Sequence, residues 1–142
     1  MSALQSRSDA MNGAQPSKNA DAPILSVSNL TTSFLRDRVW NPVVRDVSFE
    51  IAPRETVAVV GESGSGKSVT ALSVMRLIPE INGRVEGSIR LDGKELTALS
   101  DNEMRHVRGN QIAMIFQEPM TCLNPVLTVG FQIAEALLCH KT

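Results

Sequence analysis

The 142-residue chain has little of several things that would narrow its role. It has two cysteines, Cys122 and Cys139, too few for a disulfide scaffold. No Cys/His spacing matches a zinc site, and His106 and His140 lie far apart. Fourteen basic residues against fifteen acidic ones give a net charge of −1. That balance offers no electrostatic reason to expect nucleic acid or anionic lipid as a partner. No apolar run approaches the roughly 18 residues needed to span a bilayer. The N-terminus is polar and does not read as a secretory signal. No internal repeat occurs. The expectation from composition is a reduced, water-soluble α/β protein of at most one domain.

Residues 1–23 read as a disordered leader, rich in Ser, Asn, Ala, Gln and Asp and without an apolar period. Order is expected from Ile24, where Ile24 to Leu30 alternates as a strand. Arg36-Asp37-Arg38 and Asn41-Pro42 predict a turn, and Val43 to Ile51 a second strand. Pro53-Arg54-Glu55 predicts the next turn. Thr56-Val57-Ala58-Val59-Val60 is continuous and β-branched, the pattern of a strand buried on both faces. It leads into a Gly-rich loop, and Lys67 to Ile78 then predicts a buried helix stopped by Pro79.

Farther on, Ser88 to Leu91 followed by Asp92-Gly93 predicts a strand and tight turn. Ser100 and Glu103 have capping-box spacing and open a short helix to about Val107, ended by Gly109. Ile112 to Phe116 predicts a second buried strand. Pro119 and Pro125 punctuate the loop after it. Ile133, Ala134, Leu137 and Leu138 form the apolar stripe of a last helix within Gly130 to His140.

The informative motif is at residues 61–68, Gly-Glu-Ser-Gly-Ser-Gly-Lys-Ser, which fits G-x-x-x-x-G-K-[ST] without mismatch. Gly61, Gly64 and Gly66 permit backbone dihedrals that side chains forbid. The amides of Glu62, Ser63, Ser65 and their neighbours through Val69 can then turn inward around a polyphosphate. The next helix adds its positive dipole end. Lys67 supplies a point charge for the β- and γ-phosphates, and the Ser68 hydroxyl suits Mg²⁺, a hard cation. A dinucleotide fingerprint would need a third glycine where Val69 stands. A protein kinase would need His-Arg-Asp and a GTPase Asn-Lys-x-Asp; neither occurs.

The phosphate loop, Met104-Arg-His-Val-Arg-Gly109 and the segment Ile112 to Pro125 together resemble the ATP-binding subunits of ABC transporters. The dipeptide/oligopeptide and glutathione importer branch is the nearest likeness, over roughly Ile24 to His140. The resemblance implies an α/β fold of the P-loop NTPase class: an ABC-type nucleotide-binding domain, truncated. The expected parts are the N-terminal β-subdomain, the phosphate loop and helix, and the start of the helical subdomain, over residues 24–142. It implies ATP and Mg²⁺ as ligands and Gln117 as the Q-loop glutamine, acting on Mg²⁺ and the attacking water. It implies Phe34 as the adenine-stacking aromatic, with Trp40 as the alternative. The implied partners are transmembrane permease subunits and a second nucleotide-binding domain, at the cytoplasmic face of a bacterial inner membrane.

Four features depart from the family pattern. Arg54 stands where glycine is usual, Cys122 where serine is usual, and Phe131 where glutamate is common. The family's Leu-Ser-Gly-Gly signature, its aspartate–glutamate strand end and its switch histidine do not occur, and His140 is misplaced for the last. Hydrolysis of ATP by this chain alone is therefore not expected. The other reading is a non-catalytic remnant or interaction module. A domain divided through its sheet is expected to leave Ile133, Leu137 and Leu138 exposed and to bare sheet edges.

Overall fold

A computed structural model describes residues 22–116 and 123–139. Its frame is a four-stranded antiparallel sheet in the order β2-β1-β3-β4. Strand β1 runs Leu25–Arg36 and β2 Val39–Ile51. The two are joined by a two-residue turn at Asp37 and Arg38, both at positive φ, which closes Arg36 onto Val39. The polar turn thus falls at Asp37-Arg38 alone. Asn41 and Pro42 lie within β2, and because β2 is an edge strand a proline there interrupts no inner ladder. Strand β3 (Gly83–Leu91) pairs with the other side of β1. Asp92 and Gly93, again both at positive φ, return the chain as the short β4, Lys94–Glu95.

The sheet is irregular where its three long strands cross. Asn29 on β1, Asp46 on β2 and Gly87 on β3 all take positive φ. The Asn29 side-chain amide donates to Asp46 Oδ1 at 2.8 Å, and the Asn29 backbone amide donates to Ser48 Oγ at 2.8 Å. A β-carbon at Gly87 would come within 2.6 Å of the Asn29 carbonyl oxygen. The bulges therefore stack across the sheet and raise its local twist.

Helix α1, Lys67–Val74, and helix α2, Asp101–Val107, pack with this sheet. The core between them holds Val27, Leu30, Ile89, Leu96, Met104 and Val107, each no more than 2% exposed. Burial of a side chain of this size is worth about 1.5–3 kcal/mol against leaving it in water. Ser100 caps α2 as expected: its hydroxyl accepts from the Glu103 amide, and Glu103 accepts from the Ser100 amide at 2.8 Å. Helix α3, Val129–Leu138, is capped by Thr128 and buries none of its residues. Ile133, Leu137 and Leu138 are exposed, as expected.

Three sequence expectations are corrected. Residues 56–60 and 112–116 form no strand apart from a lone parallel bridge between Arg108 and Ile112. Far from being buried on both faces, Val60 is 88% exposed and Ile115 91%. A parallel inner strand needs a hydrogen-bonding neighbour on each edge, and no described element offers either segment such an edge. Helix α1 ends at Val74 rather than Ile78, and only Ser73 and Val74 in it are buried. Its stop is conformational: Arg76 turns left-handed at φ 50°. The Leu77 amide then reaches back to the Leu72 carbonyl at 2.8 Å and the Arg76 amide to that of Ser73 at 3.0 Å. This is a Schellman closure with arginine in the usual glycine place.

Of the leader, residues 1–21 lie outside the described residues, as do Gln117, Glu118, Pro119, Cys122 and His140.

Candidate functional site: a phosphate cradle at the start of α1

The sequence Gly61 to Ser68 follows the unpaired segment 56–60 and enters α1 at Lys67. The Ser65 amide donates to the Glu62 carbonyl at 3.2 Å, which closes a turn at the loop's crest. Gly66 is the N-cap of α1 at φ 94°, a left-handed conformation that glycine adopts without steric cost. A β-carbon there would also sit 3.2 Å from the Val43 carbonyl oxygen and 3.3 Å from a Val44 methyl. Gly66 thus serves two needs at once. It turns the chain into the helix and lets the loop lie against β2. Gly61 is favoured for a different reason, since a β-carbon on it would meet Ser65 Oγ at 2.7 Å and push that side chain aside.

The loop and β2 enclose a hollow of about 440 Å³, lined by Val43 and residues 63–69. Gly66 provides no side-chain cap to α1, and the first turn carries no acidic residue. The first amides of a helix have no partner within it, and here no side chain of the N-cap takes one. With Lys67 in the same turn, this is the positive end of a helix left open to an anion. Lys67 Nζ donates to the carbonyl oxygens of Gly61 and Glu62, both at 2.7 Å, and to Ser65 Oγ at 3.2 Å. These bonds fold the ammonium group over the loop's rim.

The sequence-predicted residues therefore divide. Ser63, Gly64, Ser65, Gly66, Lys67, Ser68 and Val69 line one hollow, and Gly61 and Glu62 meet it through the carbonyls that Lys67 holds. Phe34 lies on β1 opposite Asn41 and Gly83, half-buried, with its ring edge 3.6 Å from where a Gly83 β-carbon would be. Trp40 is 42% exposed on β2. Neither aromatic lines the hollow. Gln117 lies outside the described residues.

Sequence reading missed Val43. Its contribution is a backbone carbonyl pressed on Gly66, and a carbonyl leaves no side-chain signature. It also missed the arginine pair at the far end of α1. Arg108 Nε donates to the Met75 carbonyl at 2.9 Å, and its Nη2 to that of Arg76 at 2.6 Å. Arg76 Nη1 donates to the carbonyls of Leu96 and Leu99.

Comparison with known proteins agrees with this geometry. The ABC transporter family profile matches residues 44–139. The oligopeptide transport ATP-binding protein AppD of Bacillus subtilis (strain 168) is 53% identical over 119 residues, 83% of this chain and 36% of the relative. The dipeptide transport ATP-binding protein DppD of the same organism is 54% identical over 119 residues, with the same two shares. The glutathione import ATP-binding protein GsiA of Shigella dysenteriae (serotype 1, strain Sd197) is 51% identical over 124 residues, 83% of this chain and 20% of that protein. The chain thus spans about a third or less of the length of these relatives. A Gly-rich loop of the P-loop NTPase type, uncapped at the mouth of α1 and embedded in a profile that takes in more than half of the sequence, places the chain in the ABC transporter family, as an N-terminal part of its ATP-binding domain.

Proposed function

We propose that this chain binds ATP with Mg²⁺ through residues 61–69, as the ATP-binding part of an importer for peptides or glutathione. The observation that carries the reading is the uncapped N-terminus of α1, opening with Lys67 onto a hollow whose walls are mainly phosphate-loop residues. Backbone amides and an ammonium group suit a triphosphate, because both donate hydrogen bonds and neither carries negative charge. The residues present fit the ligand. A β-carbon at Gly61 would crowd Ser65 and one at Gly66 would crowd β2, so glycine at these positions keeps the loop in this conformation. The amides of Gly64, Gly66, Lys67 and Ser68 would hold the phosphates, Lys67 would neutralise charge on the β- and γ-groups, and the Ser68 hydroxyl would ligate Mg²⁺. The metal supplies charge neutralisation on the phosphate oxygens.

Adenine stacking on Phe34, with Trp40 as the alternative, and a Mg²⁺ and water contact from Gln117 belong to the same proposal. Their support is the family resemblance. The substrate class follows from the names of the relatives, which describe oligopeptide, dipeptide and glutathione transport. Permease subunits and a second ATP-binding domain, at the cytoplasmic face of a bacterial membrane, follow from the same kinship. No helix among the described residues is long and apolar enough to cross a membrane. The Leu-Ser-Gly-Gly segment and the aspartate–glutamate strand end that the resemblance calls for are not among the 142 residues. Nucleotide binding is the step proposed for residues 61–69.

The test is a titration with a fluorescent ATP analogue, with and without Mg²⁺, on the chain and on Lys67→Ala. Binding that Mg²⁺ strengthens and Lys67→Ala weakens at least tenfold, about 1.4 kcal/mol, supports the reading. Equal affinity for the two proteins overturns it.

The exposed apolar surface favours a second reading, an interaction module whose open faces are covered by another polypeptide. Val60, Ile115, Ile133, Leu137 and Leu138 are all exposed, and large apolar residues bared to water favour association.

A further inference from the structure

We propose that Arg108 is a positioning residue for the phosphate cradle and acts on it through α1. The inference rests on the nucleotide-binding reading above and assigns that site a control at its far end.

Helix α1 has 8 residues, so about 12 Å separates its two ends. Beyond the hydrogen bond between Ser73 and Thr32 of β1, its grip on the sheet is sparse. Within the helix only Ser73 and Val74 are buried, and at the front Gly66 rests on Val43 and Val44. The rear is held differently. The Schellman closure occupies the carbonyls of Leu72 and Ser73. The carbonyls of Met75, the C-cap, and of Arg76 just beyond it are both taken by the guanidinium of Arg108, at 2.9 and 2.6 Å. A planar fork that bridges two successive carbonyls fixes direction as well as distance.

The clamp has a firm base. Arg108 is the C-cap of α2, and its own amide donates to the Met104 carbonyl. Met104 is 0% exposed and Val107 2%. Arg108 also bridges to Ile112, where the Gly109 amide donates to the Ile112 carbonyl at 2.9 Å. Arg108 therefore joins α2 and the start of segment 112–116 through its backbone and the end of α1 through its side chain.

Two physical effects link that contact to the cradle. A short helix moves as a rod, so slack at its rear becomes displacement at its front. The guanidinium also sits at the negative end of the helix dipole, while a bound phosphate would sit at the positive end. Removing the cation removes both the fastening and the favourable charge. The phosphates should therefore lose affinity although no group that touches them has changed.

The experiment uses the whole chain, Arg108→Gln and Arg108→Lys, each first shown to be folded by circular dichroism. A fluorescent ATP analogue is the probe, displaced by tripolyphosphate in one series and by adenosine in another. The chain and Lys67→Ala are run beside them. The expected result for Arg108→Gln is a roughly three- to tenfold loss of affinity for the ATP analogue and tripolyphosphate, with adenosine unchanged. Arg108→Lys, which keeps the charge and loses the bridge, should fall between. An unchanged tripolyphosphate affinity overturns the inference. An equal loss for adenosine also overturns it, because loss of folded protein lowers every ligand alike. Should Arg108→Gln not fold, the same comparison on Arg108→Lys decides. Failure of the nucleotide reading itself looks different: tripolyphosphate would then fail to distinguish the unmodified chain from Lys67→Ala.

Discussion

The hydroxyls of Thr32 and Ser73 meet at 2.7 Å, and both residues are fully buried. Thr32 lies on β1 and Ser73 in the last turn of α1, so this bond ties the helix behind the cradle to the middle of the sheet. Ser73 Oγ also donates to the Val69 carbonyl at 2.7 Å. The Thr32 hydroxyl proton is thus free to point at Ser73, and each oxygen has a partner.

Ser73→Ala should destabilise the chain by about 1–3 kcal/mol, because it strands the buried Thr32 hydroxyl. Thr32→Val should cost less, because the Ser73 hydroxyl keeps the Val69 carbonyl as its partner. The double variant should cost less than the sum of the two, since no polar group is then left alone. Chemical denaturation of the four proteins measures this coupling. Additive losses would show that the two hydroxyls do not interact.

Gly66→Ala should weaken both folding and anion binding. The β-carbon would be built at φ 94° and would press on the Val43 carbonyl oxygen at 3.2 Å. Strain of that sort costs of order 1–3 kcal/mol. Gly64→Ala is the useful comparison. It shares positive φ, at 81°, but its β-carbon would meet nothing within 4 Å. The Gly66 variant should therefore have the lower thermal midpoint, and equal midpoints would remove the role given to the close approach of β2.

Acid should destabilise the β3–β4 hairpin through Glu95. Partial burial raises the pKa of its carboxyl, but hydrogen bonds from the Ser88 and Thr97 hydroxyls, the Ile89 amide and Arg90 outweigh that and bring it from 4.5 to about 2. A carboxylate whose folded pKa is depressed contributes stability above its unfolded pKa and loses it as the pH falls through the folded one. Stability should therefore decline between about pH 4.5 and 2. Glu95→Gln should be less stable at neutral pH and show a flatter profile below 4.5. Glu103, lowered by the Ser100 amide and hydroxyl, should leave a residual slope of the same sign. Denaturation midpoints across the acid range test the pair.

The bared apolar segments predict association. Val60 at 88% and Ile115 at 91% exposed should bind a hydrophobic dye, and the chain should self-associate as its concentration rises. Val60→Lys with Ile115→Lys should reduce both signals without a loss of circular dichroism, because neither side chain is buried. Dye fluorescence and light scattering report the result.

Local chemistry made much of this fold legible in the sequence. The Asp92-Gly93 turn, the Ser100–Glu103 capping box and the Gly-rich loop each depend on residues within a few positions of one another, and each forms as read. Residues 56–60 and 112–116 show the limit. A β-branched run states that a strand would be comfortable there, but a strand forms only when another segment supplies its ladder. The end of α1 falls short of the stop that Pro79 predicts, because an arginine that accepts φ 50° at Arg76 has no mark in the sequence. In the site, glycines, lysine and serine declared themselves by spacing. The contacts of Val43 and Arg108 run through backbone carbonyls brought near by the sheet and by α2, so nothing in the local sequence marks them.

The central claim is that the amides entering α1 hold a triphosphate. It is tested most directly by amide exchange, followed residue by residue, on the chain alone, with Mg²⁺ and ATP, and with adenosine. The account predicts slowed exchange at Gly64, Gly66, Lys67 and Ser68 with ATP and none with adenosine. ATP that binds yet leaves those four amides exchanging as before would contradict it.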